Sequence, residues 1–545
     1  MPAASTPSSA SMGAERGSAV PAIVISRRGR HRPRPDWRRA MRTTRANIAV
    51  ATAIALVLAL AACATPSPSG VTSVTIDGGD RTIVVGDALT LTATVDVADG
   101  VSDAVAWESS DETVAVIDGV GTVTGLSAGV TEVTATSTVD PGKSDTIALT
   151  VDPLGALRWT RQFGTSSDDE ALGVASDAHG NVYAVGSTVG ALEGANAGSY
   201  DAFVRSFDSA GVVRWTRQFG TENSDIAAGV ATDASGNVYV TGRTFGALEG
   251  SNAGASDAFV RSFDSGGTLR WTRQFGTGSV DAALGVATDA NGNVYIAGFT
   301  LGSLQGTNAG GADAFVRSYD GEGTLRWTRQ FGTSSDDIAF GVAADASGHI
   351  YVAGRTAGAL EGSSAGNFDA FVRSYDADGI LRWTSQFGSS SIDGAAGVAT
   401  DATGNVYVAG FTQGALEGAN SGMEDAFVRS YDGDGGLRWT RQFGTGSGTE
   451  AFGVAADPTG NVYVAGATGG DLEGGGAGIV DAFVRSYDGD GELRWTRQFG
   501  TSSSDRALGV ATDASGNVYA SGYTFGALEG ANAGHGDAFV RKYGR

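Results

Sequence analysis

Carboxylate side chains recur at two fixed places in a 56-residue period of this chain. The first place holds Asp169, Asp225, Asp281, Asp337, Asp393 and Asp505, with Thr449 in the remaining period. The second holds Glu193, Glu249, Gln305, Glu361, Glu417, Glu473 and Glu529. Rings of carboxylates offer oxygen ligands to Ca²⁺, so weak calcium binding at the six Asp is one prediction. Asp also caps turns and loop starts through its own side chain, and this is the stronger alternative.

A third recurring position mixes arginine with aromatic residues. It reads Ser187, Arg243, Phe299, Arg355, Phe411, Ala467 and Tyr523. Arginine and aromatic side chains together are typical of surfaces that contact carbohydrate or peptide. Arg243, Phe299, Arg355, Phe411 and Tyr523 are therefore candidate ligand-binding residues, with drift at an exposed position as the alternative.

Residue types that carry out catalysis form no pattern. The four His occupy unrelated places of the period, and the sequence shows no nucleophile–base pairing and no zinc spacing. The lone Cys63 excludes an internal disulfide and a CxxC metal site. The sequence therefore predicts no catalytic residues, no enzyme, and no cofactor apart from the weak calcium.

The period itself predicts the elements that position these residues. Seven tryptophans stand 56 residues apart: Trp159, Trp215, Trp271, Trp327, Trp383, Trp439 and Trp495. Each period contains four strand-like segments, for example 227–233, 237–244, 257–264 and 269–275, termed a, b, c and d. The domain begins with a d segment, 157–163, and ends with a c segment, so the first can complete the last sheet and remove the open edges. A seven-bladed β-propeller over 154–545 is predicted, with a solenoid as the alternative.

Antiparallel order places the d–a and b–c loops on one face of each predicted blade. The b–c loops are long, while the a–b and c–d turns are short. The face with the long loops is therefore expected to carry any binding site, since rigid scaffolds present such sites on loops. The seven tryptophans are expected to pack in the outer strands.

Residues 71–153 alternate with period two and are rich in β-branched residues, which predicts a β-sandwich. Segments 105–117 and 121–129 of this region closely resemble the bacterial immunoglobulin-like group 2 domain. The 56-residue repeat resembles the bacterial β-propeller repeat family SBBP, and its sequence across segments a and b is also similar to NHL propellers. These resemblances imply an all-β protein, a small Ig-like sandwich followed by a propeller, and leave the activity open.

The amino terminus has the form of an export signal. Arg42 and Arg45 precede the apolar run 46–62, which ends in Leu-Ala-Ala before Cys63. This ending resembles the bacterial lipobox, and the resemblance implies cleavage before Cys63 and lipidation of its thiol. We expect a disordered extension or mis-assigned start at 1–40, a signal peptide at 41–62 and a Pro/Ser tether at 63–70. The alternative is an uncleaved anchor helix, although the run is short for a span.

The charge argues against one class of partner. The formal net charge is −23, and because residues 1–62 are basic the remainder is more acidic still. Nucleic acid is therefore not an expected partner. The sequence predicts a monomeric, lipid-anchored extracytoplasmic binding or adhesion protein on the cell surface or in the envelope, with carbohydrate or an envelope protein as ligand. The alternatives are an envelope scaffold that docks another protein and, with less support, a polysaccharide-active hydrolase or lyase.

Overall fold

A computed structural model describes residues 69–474 and 476–545. The predicted extension 1–40, the signal peptide 41–62 and Cys63 lie outside the described residues, as does most of the tether 63–70. The described part contains strands only, and it has no helix with the length and apolar character needed to cross a membrane. The predicted all-β class, with a small sandwich followed by a seven-bladed propeller, is confirmed.

The first domain is a sandwich whose strands alternate between buried and exposed residues. Its strands are β1 (Val71–Ile76), β2 (Arg81–Val84), β3 (Ala88–Thr90), β4 (Ala93–Val97), β5 (Val105–Ser109), β6 (Ala115–Ile117), β7 (Thr122–Gly125), β8 (Gly129–Ser137) and β9 (Ser144–Asp152). They form sheets in the orders β1-β4, β2-β9-β8-β5 and β3-β7-β6, and β2 runs parallel to β9. Trp107 packs against the core of this domain, which includes Val133 and Leu149.

The second domain repeats one four-stranded unit. Its first half contains β10 (Leu157–Phe163), β11 (Asp169–Ser176), β12 (Val182–Thr188), β13 (Asp201–Phe207), β14 (Val213–Phe219), β15 (Asp225–Thr232), β16 (Val238–Thr244), β17 (Asp257–Phe263), β18 (Leu269–Phe275), β19 (Asp281–Thr288), β20 (Val294–Thr300), β21 (Asp313–Tyr319) and β22 (Leu325–Phe331). Its second half contains β23 (Asp337–Ala344), β24 (Ile350–Thr356), β25 (Asp369–Tyr375), β26 (Leu381–Phe387), β27 (Asp393–Thr400), β28 (Val406–Thr412), β29 (Asp425–Tyr431), β30 (Leu437–Phe443), β31 (Thr449–Ala456), β32 (Val462–Thr468), β33 (Asp481–Tyr487), β34 (Leu493–Phe499), β35 (Asp505–Thr512), β36 (Val518–Thr524) and β37 (Asp537–Tyr543).

These strands form seven antiparallel four-stranded sheets within the described residues. Blades 1 to 6 each consist of four consecutive strands in the order a, b, c and d, from β11–β14 for blade 1 to β31–β34 for blade 6. Blade 7 takes its strands a, b and c from β35, β36 and β37, and its strand d is β10. The register pairs Thr160 with Arg541, so the first propeller strand closes the ring against the last.

The core lies between neighbouring blades. Strands b and c are buried on both faces, because the apolar residues of one face contact the preceding blade and those of the other face contact the following blade. Between blades 4 and 5, Tyr351, Val372 and Phe427 belong to one buried cluster. The tryptophan of strand d lies at the edge of this layer. The Trp383 ring centroid is 6.0 Å from that of Tyr431 in the next blade, and its indole N–H donates to the Gly433 carbonyl at 3.1 Å.

Candidate functional site

The propeller presents a face formed by the d–a and b–c loops, called here the long-loop face. In blade 1 the b–c loop spans residues 189–200, whereas the a–b connection spans only 177–181. The short a–b turn is fixed by Asp177, which accepts hydrogen bonds from the Asn181 amide side chain (2.8 Å) and the Tyr183 hydroxyl (2.9 Å). Rigid short turns on one side leave the long loops as the adaptable surface.

The six repeated aspartates at the start of strand a are fully buried, and each caps its own d–a loop. Asp169 Oδ2 accepts hydrogen bonds from the Thr165 N–H (2.6 Å) and hydroxyl (2.9 Å). The same pair of bonds recurs at Asp225, Asp281, Asp337, Asp393 and Asp505. Burial raises the pKa of Asp169 against the effect of the threonine hydrogen bonds. This arrangement is that of a loop cap.

Glutamates of five blades are likewise hydrogen-bonded within the fold, namely Glu193, Glu249, Glu417, Glu473 and Glu529. Glu193 accepts hydrogen bonds from the Arg217 guanidinium (3.0 Å) and the Gln218 N–H (3.1 Å) of strand d in its own blade. Among the described residues no group of three or more His, Cys, Asp or Glu side chains is arranged to hold a metal ion. Calcium at the aspartate ring stays a prediction. The caps engage Oδ2 of each aspartate, whereas Oδ1 of all six is buried without a hydrogen-bond partner among the described residues.

The five candidate ligand-binding residues lie at the long-loop end of strand b and are half-buried. Each belongs to a different blade, so they form a ring rather than one pocket. The Arg355 guanidinium lies 4.7 Å from the ring centroid of Phe368, and that of Arg243 lies 5.6 Å from Phe245. Tyr523 meets Phe525 edge to face at 5.5 Å. Phe299 and Phe411 hold the corresponding positions of blades 3 and 5.

Differences among the otherwise similar repeats concentrate on this face. Seven positions of the period carry at least five residue types each, and six of them lie on the long-loop face. These six lie 9, 11, 28, 30, 40 and 41 residues after each tryptophan, and the seventh, which includes Val212 and Ile380, lies in the c–d turns opposite. The core positions between them hardly vary. Repeat-to-repeat variation is therefore concentrated on the long-loop face, which carries six of the seven variable positions.

One pocket on the long-loop face is lined by such variable positions alone. It has a volume of about 190 Å³ and lies where blades 5, 6 and 7 meet. Its lining consists of Glu424, Gly448, Glu450, Ala467, Gly469, Val480 and Arg506. We call it the Glu424–Glu450 pocket. Arg506 Nη1 lies 3.5 Å from Glu450 Oε2, and Gln413 donates to Glu424 Oε1 at 2.9 Å.

The two glutamates of this pocket are electrostatically coupled. Burial, followed by a hydrogen bond and charge repulsion from Glu424, raises the pKa of Glu450 to about 7, against the lowering effect of Arg506. Glu450 therefore gains or loses its proton near neutral pH, a property that often accompanies a functional site.

Sequence reasoning singled out Ala467 only as one member of the strand b position and missed Glu424, Glu450 and Arg506. The signal that could have found them is variation between repeats, since all three occupy positions of the period that carry at least five residue types. The pairing of Glu424 with Glu450 could not be read locally, because the two residues belong to different blades and meet only at the blade junction.

Family comparisons agree with these two domains. The model of the bacterial Ig-like domain (group 2) matches residues 70–147. The model of the β-propeller repeat SBBP matches residues 158–192, 214–248, 270–304, 326–360, 438–473 and 494–528. Each SBBP match covers strands d, a and b and ends in the b–c loop. The variable positions that precede strand c lie beyond the matched segments.

Curated relatives match only short parts of their own length. A regulatory protein FlaEY from Caulobacter vibrioides is 27% identical over 186 residues, which cover 30% of this chain and 20% of that protein. An α-L-arabinofuranosidase from Bifidobacterium longum subsp. longum is 41% identical over 90 residues, covering 16% and 8% of the two chains. The chain thus spans a fifth or less of these relatives.

Two solved structures are similar to this chain at low sequence identity. The Neurospora crassa Pan2 WD40 domain is 12% identical, with a TM-score of 0.41, and the alignment covers 71% of this chain and 97% of that one. An ulvan lyase of a polysaccharide lyase family is 11% identical, with a TM-score of 0.40, and covers 70% and 96%. By its two matched families, this chain is a protein that joins a bacterial Ig-like domain of group 2 to a propeller of SBBP repeats.

Proposed function

We propose that this protein binds saccharides through the long-loop face of its propeller. The observation that carries this proposal is the concentration of repeat-to-repeat variation on that face, in a fold whose other positions hardly change. Half-buried aromatic and arginine side chains on the same face suit the apolar surfaces and hydroxyl groups of sugar rings. The face also exposes apolar side chains, among them Phe245, Phe525, Met423 and Ile479.

The proposed place of action is outside the cytoplasm, at the membrane surface. This part of the proposal rests on Cys63, the lone cysteine, directly after the apolar run 46–62. Substituting Cys63→Ser should release the full-length protein from the membrane fraction. Retention of the variant in membranes would mean that the apolar run itself is the anchor.

Saccharide binding is tested by applying the purified full-length protein to an array of glycans and cell-wall polymers, with Ca²⁺ and with a chelator. The matched variants are Ile479→Ser on the long-loop face, where the isoleucine is 73% exposed, and Ile380→Ser in the opposite c–d turn, where it is 62% exposed. We expect signal that Ile479→Ser weakens and Ile380→Ser leaves unchanged. Signal that needs Ca²⁺ would support the predicted weak calcium at the aspartate ring, and a blank array would refute saccharide binding and favour an envelope protein as partner.

A second candidate function is action on polysaccharide. The observation that favours it is the Glu424–Glu450 carboxyl pair, since a group titrating near pH 7 can serve as general acid or base. Turnover of a polysaccharide that is abolished by Glu450→Gln, with binding retained, would establish it. An absence of turnover across the glycans that bind would exclude it.

A further inference from the structure

The Glu424–Glu450 pocket exists because blade 6 carries small residues where other blades carry large ones. Gly448, Ala467 and Gly469 occupy three variable positions that hold Ile392, Phe411 and Gln413 in blade 5. In blade 7 the same positions hold Ser504, Tyr523 and Phe525. No other repeat combines three residues as small at these places. The space for this cavity therefore comes from small residues that occur together in one blade of the seven.

Two carboxyl groups enter this cavity from opposite sides of one blade junction. Glu424 directly precedes strand c of blade 5, and Glu450 is the second residue of strand a in blade 6. The other junctions place different residues at these two positions, such as Phe368 with Gly394, or Val480 with Arg506. At this junction Thr449 also replaces the buried aspartate found in the other blades, and its hydroxyl lies 3.0 Å from that of Thr468. Two glutamates therefore face each other only at the junction of blades 5 and 6, where blade 6 also carries the three small residues.

The charges in the pocket do not balance. Two carboxylates face one guanidinium, and Arg506 approaches from the Glu450 side. Glu424 Oε2 lies beside the open space over Gly448, where an added Cβ would be 3.9 Å away. One guanidinium therefore leaves one carboxylate of the two without a compensating charge, and a cationic group of a ligand would supply it.

The pocket favours an ammonium group over a divalent metal ion. Calcium takes six to eight oxygen ligands, often from several carboxylates. The described lining of this pocket offers two carboxylates, and a guanidinium lies against one of them. An ammonium group needs fewer partners and donates three hydrogen bonds, which two carboxyl groups accept. The volume of about 190 Å³ is below the roughly 300–1,000 Å³ of typical ligand pockets, so it suits one substituent of a longer ligand.

We propose that the Glu424–Glu450 pocket selects saccharides that carry a free primary ammonium group, an inference that rests on the saccharide binding proposed above. The ammonium group of an amino sugar donates to Glu424 and Glu450, and Arg506 donates to an adjacent hydroxyl oxygen of the same sugar. An N-acetylated sugar lacks the positive charge and adds bulk at this point. The rest of the oligosaccharide lies along the long-loop face.

Binding should depend on pH because the ammonium group competes with the proton of the carboxyl pair. The charged and titratable groups that face Glu450 are Glu424 from blade 5 and Arg506 and Tyr523 from blade 7. Glu450 takes up its proton as the pH falls below about 7, and selectivity for the amine should weaken there. The ligand does not lose charge over this range, because lowering the pH protonates an amine.

The test is calorimetric titration of the full-length protein at pH 7 with glucosamine oligomers and with N-acetylglucosamine oligomers of equal length. We expect the free-amine form to bind at least about tenfold more tightly, as a hydrogen-bonded charge pair implies. Glu450→Gln and Glu424→Gln should reduce this ratio to about one. The matched control is Glu170→Gln, the same repeat position in blade 1, where Gly536 stands in place of a facing glutamate. This control should keep the full preference.

Two pocket-filling variants locate the site independently of charge. Gly448→Val introduces the residue that blade 3 carries at Val280, and Ala467→Phe introduces that of Phe299. Both should abolish the preference for the amine while thermal melting shows that the fold is intact. Equal binding of the two oligomers by the wild-type protein, or equal loss in Glu170→Gln, would overturn the amine pocket and leave saccharide binding standing. Binding of neither oligomer nor any other glycan would overturn both proposals.

Discussion

At the residue scale, two aspartates at the two ends of one strand lie in different electrostatic environments. Burial raises the pKa of Asp169 at the start of β11. Burial acts in the same direction on Asp177 after its end, but hydrogen bonds from Asn181, Tyr183 and His179 outweigh it and lower the pKa. Burial, followed by the hydrogen bond that its hydroxyl donates to Asp177, raises the pKa of Tyr183 to about 12. The position of an aspartate in the blade therefore decides whether its pKa is raised or lowered, and with it the pH range in which its ionisation stabilises the fold.

Asparagine substitutions at these two sites should respond to pH in opposite ways. The depressed pKa of Asp177 stabilises the fold above its unfolded value of about 3.9, and this contribution is lost as the pH falls through the folded value. Asp177→Asn should therefore cost about 2 kcal/mol at pH 7 and little at pH 3. The raised pKa of Asp169 has the opposite sign, so Asp169→Asn should cost more at pH 3 than at pH 7. Urea unfolding at both pH values measures this, and parallel pH profiles would contradict it.

Glu450 should lower stability in the pH range where it is ionised. Its folded pKa of about 7 exceeds the ordinary glutamate value, so its favourable contribution is present at acid pH and lost as the pH rises through 7. We expect Glu450→Gln to be about 1 kcal/mol more stable than the wild type at pH 8, after allowance for solvent screening, and no more stable at pH 5. Denaturant melts at both pH values test this. A destabilised variant at pH 8 would show that Glu450 serves the fold rather than a ligand.

The residues of the candidate site were only partly predictable from the sequence. Arg243 and Phe299 stand out because the repeats supply an internal comparison at a position that strand alternation places near the long-loop end. Glu450 acquires its character from Glu424 and Arg506, each from a different blade. No local sequence pattern predicts that these three side chains lie together, because their proximity depends on how neighbouring sheets are placed around the axis.

At the element scale, glycine in strand b permits a kink in strand a. The register of β27 shifts between Ala395 and Gly397, opposite Gly410 of β28. A Cβ on Gly410 would overlap the Gly394 carbonyl, and the corresponding glycine of every blade faces the same obstruction. Such bulges bend a strand, and here the bend lies in the strand nearest the axis. The sequence shows the repeated glycine, but only the structure shows that a backbone carbonyl of strand a leaves no room for a Cβ at this position.

Gly410→Ala should destabilise the protein more than an alanine placed at a left-handed glycine. Gly418 has φ of 71° but no atom within 4 Å of an added Cβ, so Gly418→Ala isolates the backbone strain, expected to be about 1 kcal/mol. Gly410→Ala must displace a backbone carbonyl and should cost at least about 2 kcal/mol, as overpacking does. Chemical denaturation of the two variants makes the comparison. Equal losses would mean that strand a relaxes freely.

The strand pattern itself was predictable, because each strand has a distinct alternation. Strands b and c of blade 5 carry apolar residues on both faces, such as Val406 to Val408, and are buried on both. Strand d mixes Leu, Arg and Trp and is half-buried. The role of tryptophan as a bridge to the next blade was less accessible, since its acceptor lies 50 residues further along the chain.

At the scale of the whole molecule, the ring closes through noncovalent contacts at one seam. Blade 7 joins the C-terminal strand β37 to the N-terminal propeller strand β10, so no c–d turn links these two strands. In blade 4 the indole N–H of Trp383 donates to such a turn in the next blade. The corresponding Trp495 Nε1, which faces blade 7, is buried without a hydrogen-bond partner among the described residues. Arg497 retains its bond to the seam, donating to Gly155 O at 3.0 Å.

We expect opening of the ring to begin at this seam, and two equivalent glutamines provide the test. Gln162 in β10 donates to Asp537 Oδ2 (2.8 Å) and accepts from the Leu528 N–H (2.7 Å). Gln274 in blade 2 makes the same contacts with Asp257 and Leu248 at 2.9 and 2.8 Å. Gln162→Ala should accelerate unfolding in denaturant several-fold more than Gln274→Ala, because only in blade 7 do these bonds join strands that are not consecutive in the chain. Identical unfolding rates for the two variants would show that the ring opens elsewhere, since equal local losses would then have equal consequences around a ring without a weak seam.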